Sequence, residues 1–147
     1  MHHPNPTSLR ATRRAHRARL IAALALGLTI ALGLSVRSQW ADLPRELSKP
    51  LGVALWAMAA YWSLLLLRPS LKPLRTATLA LVLSWAIELL QLTPISRALS
   101  AKHPALRLIF GETFSPLDLL YLLGGVLLAL ALHARAPLTT AESNRRS

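Results

Sequence analysis

Four long apolar runs, set apart by short polar or basic connectors, dominate the chain. Leu20 to Val36 carries no charge between Arg19 and Arg37. As a helix it would extend ~25 Å at 1.5 Å per residue, close to the ~30 Å hydrocarbon thickness of a bilayer. A second run, Pro50 to Leu67, closes at Arg68-Pro69, and a third, Thr76 to Leu92, is broken only by Glu88 and stops before Pro94. The fourth, Pro116 to His133, opens with Ser115-Pro116-Leu117-Asp118 just ahead of its apolar body. These runs predict four transmembrane helices. The connector from Arg68 to Arg75, with Pro69 and Pro73, is so short that the second and third spans must form an antiparallel hairpin. The fold class expected is therefore all-α: a polytopic membrane protein with its four helices in an antiparallel bundle.

The flanking segments read differently. Residues 1–19 hold Pro4, Pro6, His2, His3, His16 and arginines 10, 13, 14, 17 and 19 with no apolar period, and are expected to be a disordered basic arm. Residues 20–133 form the four-helix domain, and residues 134–147 a polar, disordered tail. The first run, behind Arg13-Arg14, also has the layout of a secretory or twin-arginine signal; its length, and the lack of an A-x-A site around Ser35-Val36-Arg37-Ser38, favour an uncleaved anchor. Thr93 to Ser115 is the longest connector. Its apolar Leu106-Arg107-Leu108-Ile109-Phe110 suggests a re-entrant or surface-lying segment, and a connector of this length is often functional.

Composition fits this pattern. Of 147 residues 53% are hydrophobic, which with a mean hydropathy of +0.41 is too apolar for an ordinary soluble domain. The formal charge of +11 invites comparison with nucleic-acid binders. Here, though, the cations lie between and outside the apolar runs, as membrane topology requires, so no nucleic acid is expected as a partner. Eleven of the 17 Lys and Arg residues fall in the N-terminal arm, the second connector and the tail. By the positive-inside rule both termini are cytoplasmic, and Glu88, Gln91, the long connector and Asp118 face outward. The basic clusters at Arg10 to Arg19 and Arg68 to Arg75 suit an anionic inner leaflet. Cysteine is absent, which removes disulfides, thiolate metal sites and Cys nucleophiles from consideration.

The candidate chemistry sits at the outward ends of the third and fourth spans. Glu88 and Gln91, three residues apart, share one helix face, with Ser84 and Trp85 a turn earlier on the same side. An ionisable group in a membrane span is costly, and usually faces a bundle interior or a wet cavity. Asp118 begins the next span at the same depth, and the loop between supplies Arg97, Lys102, His103 and Arg107. An Arg fork, from Arg97 or Arg107, is the expected partner of Glu88 or Asp118. Gly124 and Gly125 lie two turns further along the fourth span, where missing side chains would admit a neighbouring helix. His103 reads as a solvated loop residue and His2-His3 as part of the arm, so no metal site is expected. Trp56, Trp62 and Trp85 read as packing or interfacial residues, and Trp40 as an interfacial anchor.

The order Glu88-x-x-Gln91-Leu92, an Arg-bearing loop, Gly111-x-x-Phe114-Ser115, Asp118-Leu119-Leu120 and Gly125 resembles the VanZ-like superfamily of small bacterial membrane proteins. With Gly52-x-x-Leu55-Trp56-Ala57 added, the chain is most similar to the branch known as domain of unknown function 2809, over about Leu51 to Leu132. Gly52 thereby joins Gly124 and Gly125 as a helix-packing candidate. Val53 departs from the family's frequent acidic residue after that glycine, and Leu122 stands where an aromatic is usual, one place after Tyr121. The resemblance implies a polytopic fold in the bacterial cytoplasmic membrane and an envelope setting. It supplies no reaction.

Three functional readings follow. In the first, which is preferred, Glu88, Gln91, Asp118 and Arg97 or Arg107 bind an envelope lipid head group, peptide or partner protein at the outer face, without catalysis or cofactor. The second is an enzyme acting on a phosphate- or glycosyl-bearing lipid, with Glu88 or Asp118 as general acid/base, Gln91 orienting the substrate and Arg97 or Arg107 neutralising an anion. In the third the same residues are only an ion-pair staple between helices.

Overall fold

The computed structural model describes residues 6–37, 43–95, 98, 101–102 and 114–135. These residues form four helices: α1 (Pro6–Arg37), α2 (Arg45–Leu67), α3 (Pro73–Leu90) and α4 (Pro116–Arg135). Each is long and apolar enough to cross a membrane, over Ala15–Arg37, Glu46–Leu67, Pro73–Leu90 and Pro116–Arg135 respectively. Among the described residues there is no strand.

Several boundaries differ from the hydropathy pattern. Residues 6–19, expected as part of a disordered arm, continue α1 in helical form. The segment is rich in Ala and Arg, both strong helix formers, and propagating a helix from an existing span avoids the cost of a new nucleus. At 32 residues α1 is ~48 Å long, well beyond the hydrocarbon thickness. Arg13, His16, Arg17 and Arg19 are exposed along its basic end. Likewise α2 starts at Arg45, after Pro44, so that Pro50 lies inside the helix rather than at its head. The Pro44 carbonyl accepts from Leu47 N–H at 3.0 Å and Ser48 N–H at 2.9 Å, which winds the first turn and carries Lys49 into the helix. The third span ends at Leu90, with Gln91 as its cap, two residues short of the expected Leu92.

Helix α2 is the hub, touching α1, α3 and α4. The turn at Arg68 to Lys72 is closed by Leu71 N–H donating to the Arg68 carbonyl, and returns the chain as α3. Trp85 near the end of α3 donates its Nε1–H to the Leu119 carbonyl of α4 at 3.2 Å, so those two helices are antiparallel. Three contacts in step make α2 and α4 parallel: Lys49 with Asp118, Ala54 with Gly125, and Tyr61 with His133.

The interior mixes alanines with a few large side chains, and the exterior is lined by large apolar ones. Ala22, Ala57, Ala77, Ala80 and Ala129 pack with Met58, Tyr61, Trp62, Leu65, Leu122 and Val126. Leu24, Leu28, Leu67, Leu74, Val82, Leu120 and Leu127 point outward. In water such a surface would aggregate, whereas in lipid it is the solvated face. Small residues bring the backbones close. At Gly125 an added Cβ would fall onto the Ala54 carbonyl oxygen and within 2.9 Å of the Ala54 Cα. Gly124 has nothing within 4 Å of that position, and Gly52 meets only the Arg37 side chain at 3.9 Å, an ordinary contact. Of the three glycines assigned to packing, Gly125 is therefore where helices meet closely; Gly124 turns to the outside because successive helical residues are ~100° apart.

Candidate functional site

The first turns of α2 and α4 and the last turn of α3 end at one end of the bundle, and the buried acids gather there. Glu88 and Asp118 are both buried, as is Ser84 one turn before Glu88 on the same face of α3. The two carboxyl groups are near neighbours. Glu88 Oε2 accepts from Gln91 Nε2 at 3.0 Å, an i to i+3 pair within the closing turn. Its other oxygen, Oε1, accepts from the backbone N–H of Ser115 at 3.4 Å. Ser115 directly precedes α4, and Asp118 N–H donates back to its carbonyl at 2.9 Å.

This arrangement resembles a capping box divided between two helices. In the single-helix form, the acid three residues into the helix reaches back to the N–H of the capping residue. Here Glu88 of α3 takes that N–H instead, which releases the acid at the equivalent place in α4. Asp118 then turns toward α2, where its Oδ2 lies 3.0 Å from the Lys49 ammonium. Both carboxylates sit at the N-terminal end of α4, where the helix dipole favours negative charge. Lys49 itself is half-exposed, while the Asp118 side chain is only 4% exposed. The ion pair is thus buried on one side and open to the surroundings on the other.

Three polar side-chain atoms of the site are buried without a hydrogen-bond partner among the described residues: Ser84 Oγ, Gln91 Oε1 and Asp118 Oδ1. Buried polar groups normally find partners in the protein or in ordered water. Of the buried serine and threonine hydroxyls of the spans, Thr29, Thr76 and Ser84, only Ser84 has no partner among the described residues. Thr29, Ser35, Thr76 and Thr78 each donate to the carbonyl four residues earlier in their own helix. Such back-bonding is the usual way a hydroxyl is satisfied inside a helix.

Of the five residues assigned to a polar site from sequence, Glu88, Gln91 and Asp118 come together, and Arg97 and Arg107 lie outside the described residues. Among the described residues the cation that reaches Asp118 is Lys49, which lies just ahead of the second run as the hydropathy pattern bounds it. Its signal was present in the chain: Pro44 followed by Arg45-Glu46 marks a helix start one turn and more ahead of Pro50. Ser115 contributes through its backbone N–H, which no side-chain pattern reveals.

A second buried polar contact lies at the opposite end of the α2 and α4 pair. The Tyr61 hydroxyl is 2.6 Å from His133 Nδ1, and both side chains are buried. The rings of Tyr61 and Trp62 are edge-on at 5.2 Å between centroids, and those of Tyr61 and His133 at 5.8 Å. The Tyr61 hydroxyl also lies 3.5 Å from the Pro73 carbonyl at the head of α3. This group ties α2 to α3 and α4. Among the described residues no three His, Asp or Glu side chains group together as metal ligands do.

Four helices long and apolar enough to cross a membrane make this a multi-pass membrane protein. The chain belongs to the family described as protein of unknown function DUF2809, whose sequence pattern matches residues 43–126. That range takes in α2, α3 and the first half of α4, and with them Lys49, Ser84, Glu88, Gln91 and Asp118, but leaves out α1. No curated protein and no solved structure matches the chain.

Proposed function

We propose that this protein is a non-enzymatic, VanZ-like component of the bacterial cytoplasmic membrane, with its termini inside and a ligand site at the extracytoplasmic end of α3 and α4. The ligand is an envelope molecule that reaches the site at the depth of the lipid head groups. The observation that carries this reading is the half-open ion pair between Lys49 and Asp118, beside Glu88 and three unpartnered polar atoms. Placing ionisable groups at the end of an apolar span is costly, and is usually retained for function. The eleven cations grouped with the termini and the second connector support the orientation.

The ion pair itself favours one competing reading, a staple that only joins α2 to α4. Exchange of the two charges separates them. In Lys49→Asp with Asp118→Lys, a pure staple regains wild-type stability with no further consequence. A ligand site regains stability yet loses retention of co-purifying lipid, measured by native mass spectrometry of the full chain in mild detergent. Retention unchanged by the exchange would sink the proposal.

A further inference from the structure

We infer that His133 and Tyr61 form a proton-sensitive clasp on the head of α3: when His133 gains a proton, the Tyr61 hydroxyl turns from His133 to the Pro73 carbonyl and ties α3 to α2 and α4. The clasp lies at the opposite end of the bundle from the polar site and does not depend on the ligand-site reading.

The Tyr61 hydroxyl has one hydrogen and two acceptors within reach. His133 Nδ1 is at 2.6 Å and the Pro73 carbonyl oxygen at 3.5 Å. A separation of 2.6 Å is shorter than the ~2.7–3.2 Å of an N–H···O bond and suits a bond donated by a hydroxyl. Tyr61 thus donates to Nδ1, the imidazole is neutral with its hydrogen on Nε2, and Pro73 is left at the limit of hydrogen-bond distance.

Histidine is the side chain whose charge ordinarily changes near neutral pH, and a proton on His133 reverses these roles. An imidazolium donates from both nitrogens, so Nδ1 can no longer accept, and its hydrogen goes to a lone pair of the Tyr61 oxygen. The phenol keeps its own hydrogen and swings it to the Pro73 carbonyl; the proton gained is the one now on Nδ1, and it comes from solvent. That contact has to close by about half an ångström to reach an ordinary O–H···O length. The product is a continuous chain, His133 Nδ1–H to Tyr61 O–H to Pro73 C=O, through all three helices. A buried cation is tolerable only when it is hydrogen-bonded, and the chain supplies the acceptor. His133 also stands in the last turn of α4, where the helix dipole favours positive charge.

The groups around His133 leave this exchange to Tyr61. Helices α2 and α3 pack against α4. From α2 come Tyr61 and the Trp62 ring, whose centroid is 6.3 Å from that of His133. In the first turn of α3 the buried Thr76 hydroxyl is spent on the Lys72 carbonyl at 3.2 Å. Arg68 and Lys72 of the turn, Arg75 of α3 and Arg135 of α4 are exposed. The acids Glu46, Glu88 and Asp118 lie toward the other end.

The head of α3 is lightly held in the neutral state. Its N-cap residue, Lys72, makes no side-chain cap bond. The polar contacts of Trp85 with Leu119 and of Glu88 with Ser115 lie toward its far end. The helix gripped by the clasp is the one that carries Glu88 and Gln91.

The test is magnetic resonance on the full chain in lipid bilayers, with isotope-labelled histidine rings and proline carbonyls. His133 is assigned by the loss of its signals in His133→Gln, and Pro73 by the loss of its signal in Pro73→Ala. At neutral pH the His133 ring should show a bare Nδ1 and a hydrogen on Nε2. As the pH falls, Nδ1 should gain a hydrogen in one step, and the Pro73 carbonyl signal should move downfield in the same step. In Tyr61→Phe the Pro73 signal should stay in place. A Pro73 signal that stays still in the wild-type protein while His133 takes up its proton overturns the clasp, as does one that moves equally in Tyr61→Phe. A hydrogen already on Nδ1 at neutral pH means that the chain is always closed, and overturns it too. So does a His133 that remains neutral until the protein unfolds.

Discussion

Lys49 and Asp118 meet at 3.0 Å across the first turns of α2 and α4, and the two members of the pair are very differently buried. An exposed ion pair contributes little, but a buried carboxylate that loses its partner is left uncompensated. Lys49→Ala is therefore expected to destabilise the detergent-solubilised protein by about 1–3 kcal/mol, the cost of an unpaired buried polar group. Adding Asp118→Asn should recover part of that loss. A double-mutant cycle on thermal unfolding reads the coupling, and strictly additive effects would contradict the pairing.

The two adjacent glycines of α4 should respond oppositely to the same change. Gly124→Ala meets open space and gains helix propensity, so stability should hold or rise by up to ~1 kcal/mol. Gly125→Ala drives a methyl group into the Ala54 backbone and must push α4 away from α2, with an expected loss of about 1–3 kcal/mol. Thermal unfolding of both variants in one detergent checks the pair. A similar response from both would mean that α4 is rotated from the position described.

Tyr61→Phe removes the hydroxyl that meets His133 Nδ1 at 2.6 Å and changes nothing else in shape. Interhelical hydrogen bonds in membrane proteins are worth ~0.6 kcal/mol on average and up to ~1.7. This one joins two fully packed side chains, so the loss should fall toward the upper figure. His133→Phe should cost less when combined with Tyr61→Phe than the two single losses together.

The architecture was legible from the chain because the signal for a membrane span is local: four apolar runs of the right length between basic or proline-bearing connectors predict the four helices that form. Boundaries were less legible where propensity competed with polarity. Residues 6–19 lack an apolar face, yet their Ala and Arg content lets α1 run on through them. Pro50 looks like a helix start, although Pro44 provides it. Glu88, Gln91 and Asp118 could be picked out because polar groups in apolar runs are conspicuous. Their partners could not, since Lys49 meets Asp118, and Tyr61 meets His133, through the parallel register of α2 and α4, which no short-range pattern encodes. Charge type predicts that an acid will be matched, and the packing of helix ends is what brings Lys49 to Asp118.

The absence of native cysteine permits a direct measurement of where the polar site lies. Ala101 is exposed in the connector beyond the Glu88 end of the bundle, and Ser70 is exposed in the turn at the other end. Single cysteines at these positions, treated in intact cells with a membrane-impermeant maleimide, report which end faces outward. An extracytoplasmic ligand site predicts that Ala101→Cys labels from outside and Ser70→Cys labels only after the membrane is opened. The reverse pattern would place Lys49, Glu88 and Asp118 on the cytoplasmic side and contradict the account.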